Sequence, residues 1–248
     1  MDEPILLNKP LGLTSLQALT AWRESHPQWR DVKMTYAGRL DPMAEGALLI
    51  IHGEALHRQK DYQRFTKKYE ATVLFGVATD SFDVLGKIKH QTTAIVESQR
   101  VEQYLDNLPS EITMPLPPFS AYRLRGRPLF HWFLKNQLKE EEWPQRIHKF
   151  SDINSIRVET ISTAELISEI THRLSTVTAP LRQSEIKEGW RQYFTKSSFS
   201  RYTLVSFTVT AGSGSFIRCL ANKIGKDLTG AGILLRLRRT AVGPYTID

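Results

Sequence analysis

The segment of residues 36–46, with the sequence YAGRLDPMAEG, constrains the fold of this chain more than any other. Its single aspartate, Asp41, lies between two glycines, which let a backbone approach its neighbours closely, and Pro42 restricts Asp41 to extended conformations. The apolar run of residues 47–51 follows and predicts one buried strand. A lone loop aspartate is usually a solvated structural residue. At the entrance of a strand, in such a restricted loop, Asp41 is a candidate nucleophile or base.

Composition narrows the class of protein without choosing a function. The chain has 248 residues, 41% of them hydrophobic, which is enough to bury a sizeable core. Its net charge of +7 suits a polyanionic partner, although basic proteins without one are common.

The single cysteine, Cys219, excludes an internal disulfide and a multi-cysteine zinc site, and we expect it to fill space in the core. The histidines show no zinc spacing, so metal catalysis is rejected. No apolar run is long enough for a signal peptide or membrane span, which predicts a cytoplasmic protein.

Apolar periodicity predicts strands and helices in alternation. Strands are expected over residues 5–7, 47–51, 69–77, 154–161 and 205–211. Helices are expected after an N-cap at Ser15, and over residues 54–65, 96–108 and 217–228. Residues 114–118 are rich in proline and are predicted to form an extended connector.

Residues 162–200 form a polar stretch that predicts a helical insertion between two neighbouring strands. Leucine and isoleucine residues at helical spacing predict one amphipathic helix near 166–174. Ile186 and three aromatic residues predict a second near 186–194, with Pro180 breaking the chain between the two helices. The basic residues of the second helix could touch RNA, but a stripe that faces the core is the favoured interpretation. These basic residues are Lys187, Arg191 and Lys196.

Five blocks of the sequence resemble, in order, the motifs of one protein family. The pattern G-x-L-D-P-x-A-x-G around Asp41 resembles the catalytic loop of the TruB family of pseudouridine synthases. The other blocks are LNKPLGLTS at 7–15, KYE at 68–70 with GVATDSFDVLG at 76–86, PPFSA through GRPL at 117–129, and SGSFIR at 213–218 with LRRTAVGPY at 237–245. Each block alone would be a weak signal, and together they span almost the whole chain.

The resemblance implies a fold and a domain organisation. We expect an α+β pseudouridine synthase fold, with a mixed, mostly antiparallel central sheet flanked by helices, a thumb segment that grips RNA near residues 123–135, and the helical insertion. Residues 1–248 would form a single catalytic domain, without the PUA-type RNA-binding module that many family members carry at the C-terminus.

The resemblance also implies an activity and its residues. A TruB-like enzyme isomerises uridine to pseudouridine in tRNA, most often uridine 55 of the T arm, without a cofactor because nothing is oxidised and no group is carried. Asp41 would attack the sugar, deprotonate it, or add to the base. Arg218 would keep Asp41 ionised, Asp83 would orient Arg218, Tyr69 would stack on the flipped uracil, and Leu237 would form an apolar wall against it.

Binding residues follow from the same resemblance. The expected contacts with RNA phosphates are Lys9, Arg39, Lys67, Lys68, Arg123, Arg125 and Arg127. Tyr36 stands where the family has a histidine that displaces the target base, Ala37 replaces a hydroxyl residue, and Arg39 replaces a small one. These departures place the identity of the target uridine in question more than the reaction.

Three alternatives stay open at this point: a non-catalytic RNA-binding or RNA-folding protein, a synthase that acts on a different uridine, and a base hydrolase that uses Asp41 and Asp83 as paired carboxylates. We expect a monomer that binds RNA, with neither a membrane nor a metal ion as a partner.

Overall fold

In the computed structural model, described for residues 3–179 and 182–247, strands and helices alternate along the chain. The strands are β1 (Ile5–Lys9), β2 (Met34–Tyr36), β3 (Ala44–His52), β4 (Lys67–Phe75), β5 (Val77–Thr79), β6 (Ile88–Gln91), β7 (Glu111–Pro115), β8 (Arg123–Leu124), β9 (Arg127–Pro128), β10 (Gln145–Ser162), β11 (Arg201–Ala211), β12 (Gly232–Val242) and β13 (Tyr245–Thr246). The α-helices are α1 (Ser15–Glu24), α2 (Gln59–Arg64), α3 (Ser98–Asp106), α4 (Leu129–Leu134), α5 (Thr163–Thr176), α6 (Gln183–Lys196) and α7 (Ile217–Thr229). Short 3₁₀ helices cover Pro27–Trp29, Gly53–Arg58 and Glu140–Glu142.

A central sheet organises the fold. Within the described ranges it has nine strands, in the order β1-β3-β12-β4-β11-β10-β7, with β2 added beside β3 and β13 beside β12. The pair β3–β12 is parallel, and the other pairs of the sheet are antiparallel. Two small hairpins, β5–β6 and β8–β9, lie apart from it. The predicted α+β fold with a mixed, mostly antiparallel sheet is therefore confirmed.

In strand β3, apolar residues follow one another without polar residues between them because both faces of the strand are buried. Its side chains point alternately to opposite faces of the sheet. Leu48 and Ile50 pack into the main core, whereas Leu49 and Ile51 pack into a second, smaller cluster on the other face. Full burial of one such side chain stabilises the fold by about 1.5–3 kcal/mol, so both faces of β3 contribute.

Helix α7 covers the main face of the sheet. Its predicted apolar stripe is buried, from Ile217 through Leu220 and Ile224 to Leu228. Cys219 lies in this helix, is 2% exposed, and donates its Sγ–H to the carbonyl of Pro115 at 3.3 Å. Burial raises the pKa of its thiol to about 12. The nearby Arg218 cation opposes this shift, and the Asp41 carboxylate adds a smaller rise. The expectation that Cys219 is an inert core residue agrees with these contacts.

Three predicted elements differ from the structure. The N-cap of α1 is Thr14, which forms a capping box with Gln17, so the prediction of Ser15 was one residue late. The single helix expected over 54–65 is a 3₁₀ helix followed by the short α2. The proline-rich connector begins inside β7, where Pro115 pairs with Gln145. A proline is tolerated there because β7 is an edge strand.

Strand β10 is much longer than the predicted 154–161 segment. It runs for 18 residues and its register shifts between Ser151 and Asn154 and again between Asn154 and Arg157. Asp152 and Ser155 adopt positive φ angles of 52° and 53° at these irregularities. The bulges and the exposed polar side chains interrupt the alternation of apolar residues, which hid the first half of the strand from sequence reasoning.

The two helices predicted for the insertion are present as α5 and α6, between β10 and β11. Helix α5 begins with a capping box between Ser162 and Glu165. Helix α6 buries Ile186, Trp190 and Tyr193, as the favoured core-facing interpretation required. The chain break predicted at Pro180 falls outside the described residues. No helix in the described part of the chain is both long and apolar enough to cross a membrane.

Candidate active site

The Asp41 loop connects β2 to β3 and is held by backbone hydrogen bonds on both sides of the aspartate. The Leu40 amide donates to Ser15 Oγ at 2.8 Å, and Ser15 Oγ donates back to the Leu40 carbonyl at 3.1 Å. The Ala44 amide donates to the Asp41 carbonyl at 3.0 Å, and the Gly12 amide to the Pro42 carbonyl at 2.9 Å. Ser15, misassigned as a helix cap, therefore fixes the loop.

Two glycines of the motif, Gly38 and Gly46, are needed for different structural reasons. Gly38 has a φ of +91°, a conformation that L side chains rarely adopt. Gly46 has a φ of +102°, and a Cβ there would lie 2.3 Å from the Arg239 carbonyl oxygen on the parallel neighbour β12. Gly46 therefore permits the close approach of β3 and β12 that sets the position of the loop.

The buried Arg239 side chain holds the same loop through hydrogen bonds to backbone carbonyls. It is 1% exposed, and its guanidinium donates to the carbonyls of Ala47 (Nε, 2.6 Å), Gly38 (Nη2, 3.2 Å) and Arg39 (Nη1, 3.4 Å). No role was predicted for this residue. A signal was present, because Arg239 continues the inward-facing alternation of Leu235 and Leu237 on β12, and an arginine at such a position must find buried partners.

Lys9 was expected to contact RNA phosphates, and the structure contradicts this. Lys9 is fully buried, and its Nζ donates to the carbonyls of Pro10 at 2.9 Å and Leu13 at 2.6 Å. Burial lowers its pKa to about 8, with Arg239 lowering it further and the carboxylates of Asp41 and Glu45 opposing the shift. Lys9 is thus an internal cation beneath the loop. The available sign was the alternation of β1, which places Lys9 on the face opposite to that of the exposed Asn8.

Arg218 joins the two predicted carboxylates. It lies in the first turn of α7, and its Nε is 2.8 Å from Asp41 Oδ2 and 3.5 Å from Asp83 Oδ2. The contacts are ion pairs rather than well-directed hydrogen bonds of the Nε–H. Nη1 donates to the Ser81 carbonyl at 2.9 Å and Nη2 to the Phe119 carbonyl at 3.1 Å. Carbonyls and carboxylates thus fix the plane of the guanidinium.

Burial differs sharply within this triad. The side chains of Arg218 and Asp83 are 3% and 5% exposed, whereas that of Asp41 is 38% exposed. Asp83 also accepts hydrogen bonds from Ser81 Oγ at 2.6 Å and from the Leu85 amide at 2.9 Å. Asp41 is therefore the member whose carboxylate a ligand can reach, and Asp83 is an internal support.

The charges of the buried pair depend on one another. Burial raises the pKa of Asp83 to about 6, opposed by Arg218 and reinforced by Asp41. Burial lowers the pKa of Arg218, but the carboxylates of Asp41 and Asp83 outweigh it, and the pKa stays above its ordinary value. Arg218 is consequently a permanent cation, while Asp83 is ionised only above about pH 6.

Asp41 opens into a cavity of about 370 Å³. Tyr69 on β4 and Leu237 on β12 contribute to its wall, as does the exposed Arg39. The opposite side is formed by Arg146 and by the turn of residues 212–216 that leads into α7. An acidic group, a phenol, an apolar side chain and basic residues therefore face one space large enough for a nucleobase.

Other predicted binding residues lie around this cavity in three different settings. Lys67 contributes to the wall, but it is 6% exposed and its Nζ donates to the carbonyls of Gln63 and Phe65. Lys68 is exposed on β4. Tyr36 is half-buried on β2 and packs against the main core, outside the described cavity wall. Its predicted contact with the RNA stays a prediction.

The thumb segment begins at the cavity rim, where Tyr122 contributes to the wall. Its three arginines are exposed on the β8–β9 hairpin. Arg123 donates to the Gly126 carbonyl at 2.9 Å, and Arg127 contacts His131 Nε2 at 2.8 Å. Arg125 pairs with the carboxylate of Glu142 at 2.7 Å, and its guanidinium carbon lies 6.0 Å from the centre of the Trp132 ring. Ion pairs on an exposed surface contribute little to stability, so these arginines can exchange their contacts for phosphates.

Several known proteins resemble this chain in sequence. The sequence profile described as "TruB family pseudouridylate synthase (N terminal domain)" matches residues 28–177. Among curated relatives, "tRNA pseudouridine synthase B" of Caldicellulosiruptor saccharolyticus is 27% identical over 100% of this chain and 69% of its own length. The proteins of the same name from Burkholderia mallei and Aquifex aeolicus are 28% and 26% identical, again over 100% of this chain, and over 67% and 71% of their own lengths.

Solved structures show the same fold at lower identity. A chain of a Cbf5-Nop10-Gar1 complex superposes with a TM-score of 0.57 at 20% identity, and a chain of an H/ACA RNP bound to a substrate RNA containing 2′-deoxyuridine with 0.53 at 19%. Each match covers 99% of this chain but only 50% and 49% of the other. The chain thus spans about half the length of these structural neighbours.

Proposed function

The chain belongs to the TruB family of pseudouridylate synthases, and we propose that it isomerises a uridine of tRNA to pseudouridine, with Asp41 as the reacting carboxylate. The observation that carries this proposal is the position of Asp41. Its carboxylate reaches a nucleobase-sized cavity while its Oδ2 lies 2.8 Å from a buried, permanently charged arginine. The buried guanidinium therefore holds the Asp41 carboxylate at the wall of this cavity.

The chemistry needs little beyond these groups. The glycosidic C1′–N1 bond of the uridine breaks, the uracil turns over, and a C1′–C5 bond forms, so the product has the same atoms as the substrate. The ionised Asp41 acts by attacking C1′, by abstracting a sugar proton, or by adding to the base, and all three begin from the same carboxylate. The freed N1 takes up a proton and C5 loses one, so the proton count is unchanged. The hydroxyl of Tyr69 at the cavity wall is our candidate to assist the loss of the C5 proton.

A stacked base cannot reach Asp41, so the target nucleotide must leave the helix, at a cost of a few kcal/mol of unstacking. Tyr69 and Leu237 lie on the neighbouring strands β4 and β12 and both contribute to the cavity wall. An aromatic and an apolar side chain in this arrangement offer a slot for a flat base, which returns part of that cost.

The proposed substrate is tRNA, and within it uridine 55 of the T arm. Support comes from the shared name of the curated relatives, "tRNA pseudouridine synthase B", and from the motif at residues 38–46. The exposed arginines of the thumb, next to the cavity rim, suit a phosphate backbone that enters there.

The decisive experiment incubates the protein with unmodified tRNA transcript and separates the digested nucleosides by chromatography. An isomerase produces pseudouridine at the expense of uridine and releases no base. A hydrolase would release free uracil, and an RNA-binding protein without activity would change neither; either result would overturn the proposal. A transcript with uridine 55 replaced by cytidine tests the position, since pseudouridine formed from it would place the target elsewhere.

Asp41→Asn is the matched variant for this assay, with the exposed Asp31→Asn as its control. The amide has nearly the same shape as the carboxylate but cannot act as nucleophile or base, so we expect turnover below a few per cent of wild type. RNA affinity should stay within about tenfold because binding depends mainly on phosphate neutralisation. Residual turnover above that level would remove Asp41 from its proposed role.

A further inference from the structure

The loop of residues 80–86, between β5 and β6, carries Asp83 and is fixed to the sheet on one side. The Val84 amide donates to the Leu234 carbonyl at 3.1 Å, and the Leu234 amide donates to the Phe82 carbonyl at 3.0 Å. These bonds set the distance of the loop from β12.

The insertion contacts this loop both before and after Asp83, through Arg182 immediately before α6 and through Trp190 within α6. Before Asp83 in the sequence, Arg182 forms a bidentate ion pair with Asp80, with Nη1 2.8 Å from Oδ2 and Nη2 3.2 Å from Oδ1. After Asp83, the indole Nε1 of Trp190 donates to the Val84 carbonyl at 3.1 Å. Asp80 and Trp190 are 6% and 2% exposed, so both contacts are shielded from water.

Arg182 also contacts the second segment that holds Arg218. Its guanidinium carbon lies 4.1 Å from the centre of the Phe119 ring, which is a stacking distance for a cation on an aromatic face. The carbonyl of the same Phe119 accepts a hydrogen bond from Arg218 Nη2 at 3.1 Å. Arg182 therefore touches both the loop of Asp83 and the segment of Phe119, and both of these bind Arg218.

The backbone of Arg182 fits this assignment. It adopts a left-handed conformation with a φ of 62° immediately before α6, which is rare for a residue with a side chain and has to be compensated by contacts elsewhere. The bidentate ion pair with Asp80 and the stacking on Phe119 are contacts that compensate for this conformation.

We propose that the helical insertion positions the Arg218–Asp83 pair against Asp41, with Arg182 as its main positioning residue. This inference rests on the proposed function, because Arg218 matters to the extent that Asp41 is the reacting group. The insertion thereby acts on turnover rather than on RNA binding, which separates it from the alternative in which Lys187, Arg191 and Lys196 contact RNA.

The test compares Arg182→Gln with Arg191→Gln, the same substitution at an exposed arginine of α6 whose partner is Glu188. We expect Arg182→Gln to lower kcat about 10- to 100-fold with KM within about twofold, since small displacements of reacting groups have effects of this size. Amide exchange in residues 80–86 should become faster. Arg191→Gln should leave kcat, KM and exchange at wild-type values.

A second variant separates positioning from stability. Arg182→Gln leaves Asp80 as a buried charge without its partner, and the chain could then lose stability or fail to fold. The double variant Asp80→Asn/Arg182→Gln removes both charges, so its Tm should return towards that of wild type while kcat stays at least about tenfold low, because the cation that stacked on Phe119 is still absent.

The outcomes distinguish this inference from the proposed function. An active wild type with unchanged kcat in the folded variants, or unchanged exchange in residues 80–86, would overturn the positioning role alone. A double variant that regains kcat together with Tm would show that Arg182 only stabilises the fold. A wild type without turnover would overturn the proposed function, and the exchange measurement would still decide whether the insertion holds the loop.

Discussion

The basic residues of this protein fall into two groups with opposite surroundings. Lys9, Arg218 and Arg239 are almost entirely buried, and their donors bind backbone carbonyls and the carboxylates of the Asp41 site. Arg123, Arg125 and Arg127 are exposed on the thumb hairpin, and their contacts are with groups of the thumb and with the exposed Glu142.

This difference shows that the net charge of +7 does not indicate how many basic side chains are exposed and therefore available to RNA. A buried cation is costly unless its partners are fixed, so removing or reshaping it changes the folded state or the geometry of the site. An exposed cation adds little to stability but remains available to a polyanion. Substitutions in the first group should therefore alter turnover or stability, and substitutions in the second should alter the salt dependence of binding.

The largest effect is expected for Arg218→Lys. The substitution keeps the charge, but a single ammonium cannot replace a planar group that contacts Asp41, Asp83 and two carbonyls. Turnover should fall at least about a hundredfold, as expected when the reacting group is displaced. The matched control is Arg191→Lys, at an exposed arginine that pairs with Glu188, which should keep wild-type turnover. Near-normal rates in both variants would mean that charge alone is sufficient at position 218.

Arg239→Met tests the structural half of the comparison. It leaves the buried carbonyl of Ala47 and the partly buried carbonyls of Gly38 and Arg39 without this donor. An unsatisfied buried group costs about 1–3 kcal/mol, and a partly buried one costs less. We expect the free energy of unfolding, measured by urea denaturation, to fall by at least about 2 kcal/mol. Arg127→Met, at an exposed position, should stay within about 0.5 kcal/mol of wild type. Equal values for the two variants would contradict the division into buried and exposed groups.

A pH profile probes the buried pair directly. Burial raises the pKa of Asp83 to about 6, so the carboxylate takes up a proton as the pH falls through that value and Arg218 loses one of its two anionic partners. Turnover should decline several-fold from pH 7 to pH 5. Asp83→Asn should be slower throughout and lack this decline. A decline of the same shape in the variant would assign it to another group.

The same shift predicts the opposite trend for stability. Because the pKa of Asp83 is higher in the folded chain than in the unfolded one, protonation favours folding: the stabilisation is complete below about pH 4 and is lost as the pH rises through about 6. Between pH 5 and 7 this one group should make the wild type less stable as the pH rises, and Asp83→Asn should remove that contribution.

The smallest effect concerns the thumb. Replacing Arg123, Arg125 and Arg127 by alanine leaves up to three RNA phosphates without a basic partner. The slope of log affinity against log salt should then flatten by roughly 0.7 to 0.9 for each phosphate that the protein no longer neutralises. The comparison variant replaces Lys187, Arg191 and Lys196 of the insertion. A flattened slope in that variant, with an unchanged one in the thumb variant, would move RNA binding to the insertion.

Sequence reasoning recovered the elements with strong local patterns. The strand after the Asp41 loop, the amphipathic stripe of α7 and the two helices of the insertion follow from apolar spacing, which is a property of neighbouring residues. It missed the first half of β10, where bulges disturb the spacing. The proposed residues Asp41, Tyr69, Arg218, Asp83 and Leu237 were named through motifs, and the structure brings all five to one place.

What the sequence by itself determined was a restricted aspartate loop, a set of elements and a family. The tertiary structure decided which charges are internal. Lys9 and Arg123 are both basic residues in the sequence, but one has its Nζ enclosed by carbonyls and the other points from a surface hairpin. The physical reason is distance along the chain. Arg218 meets Ser81 across 137 positions and Arg182 meets Asp80 across 102, and contacts this remote exist only once the sheet and the insertion have packed together.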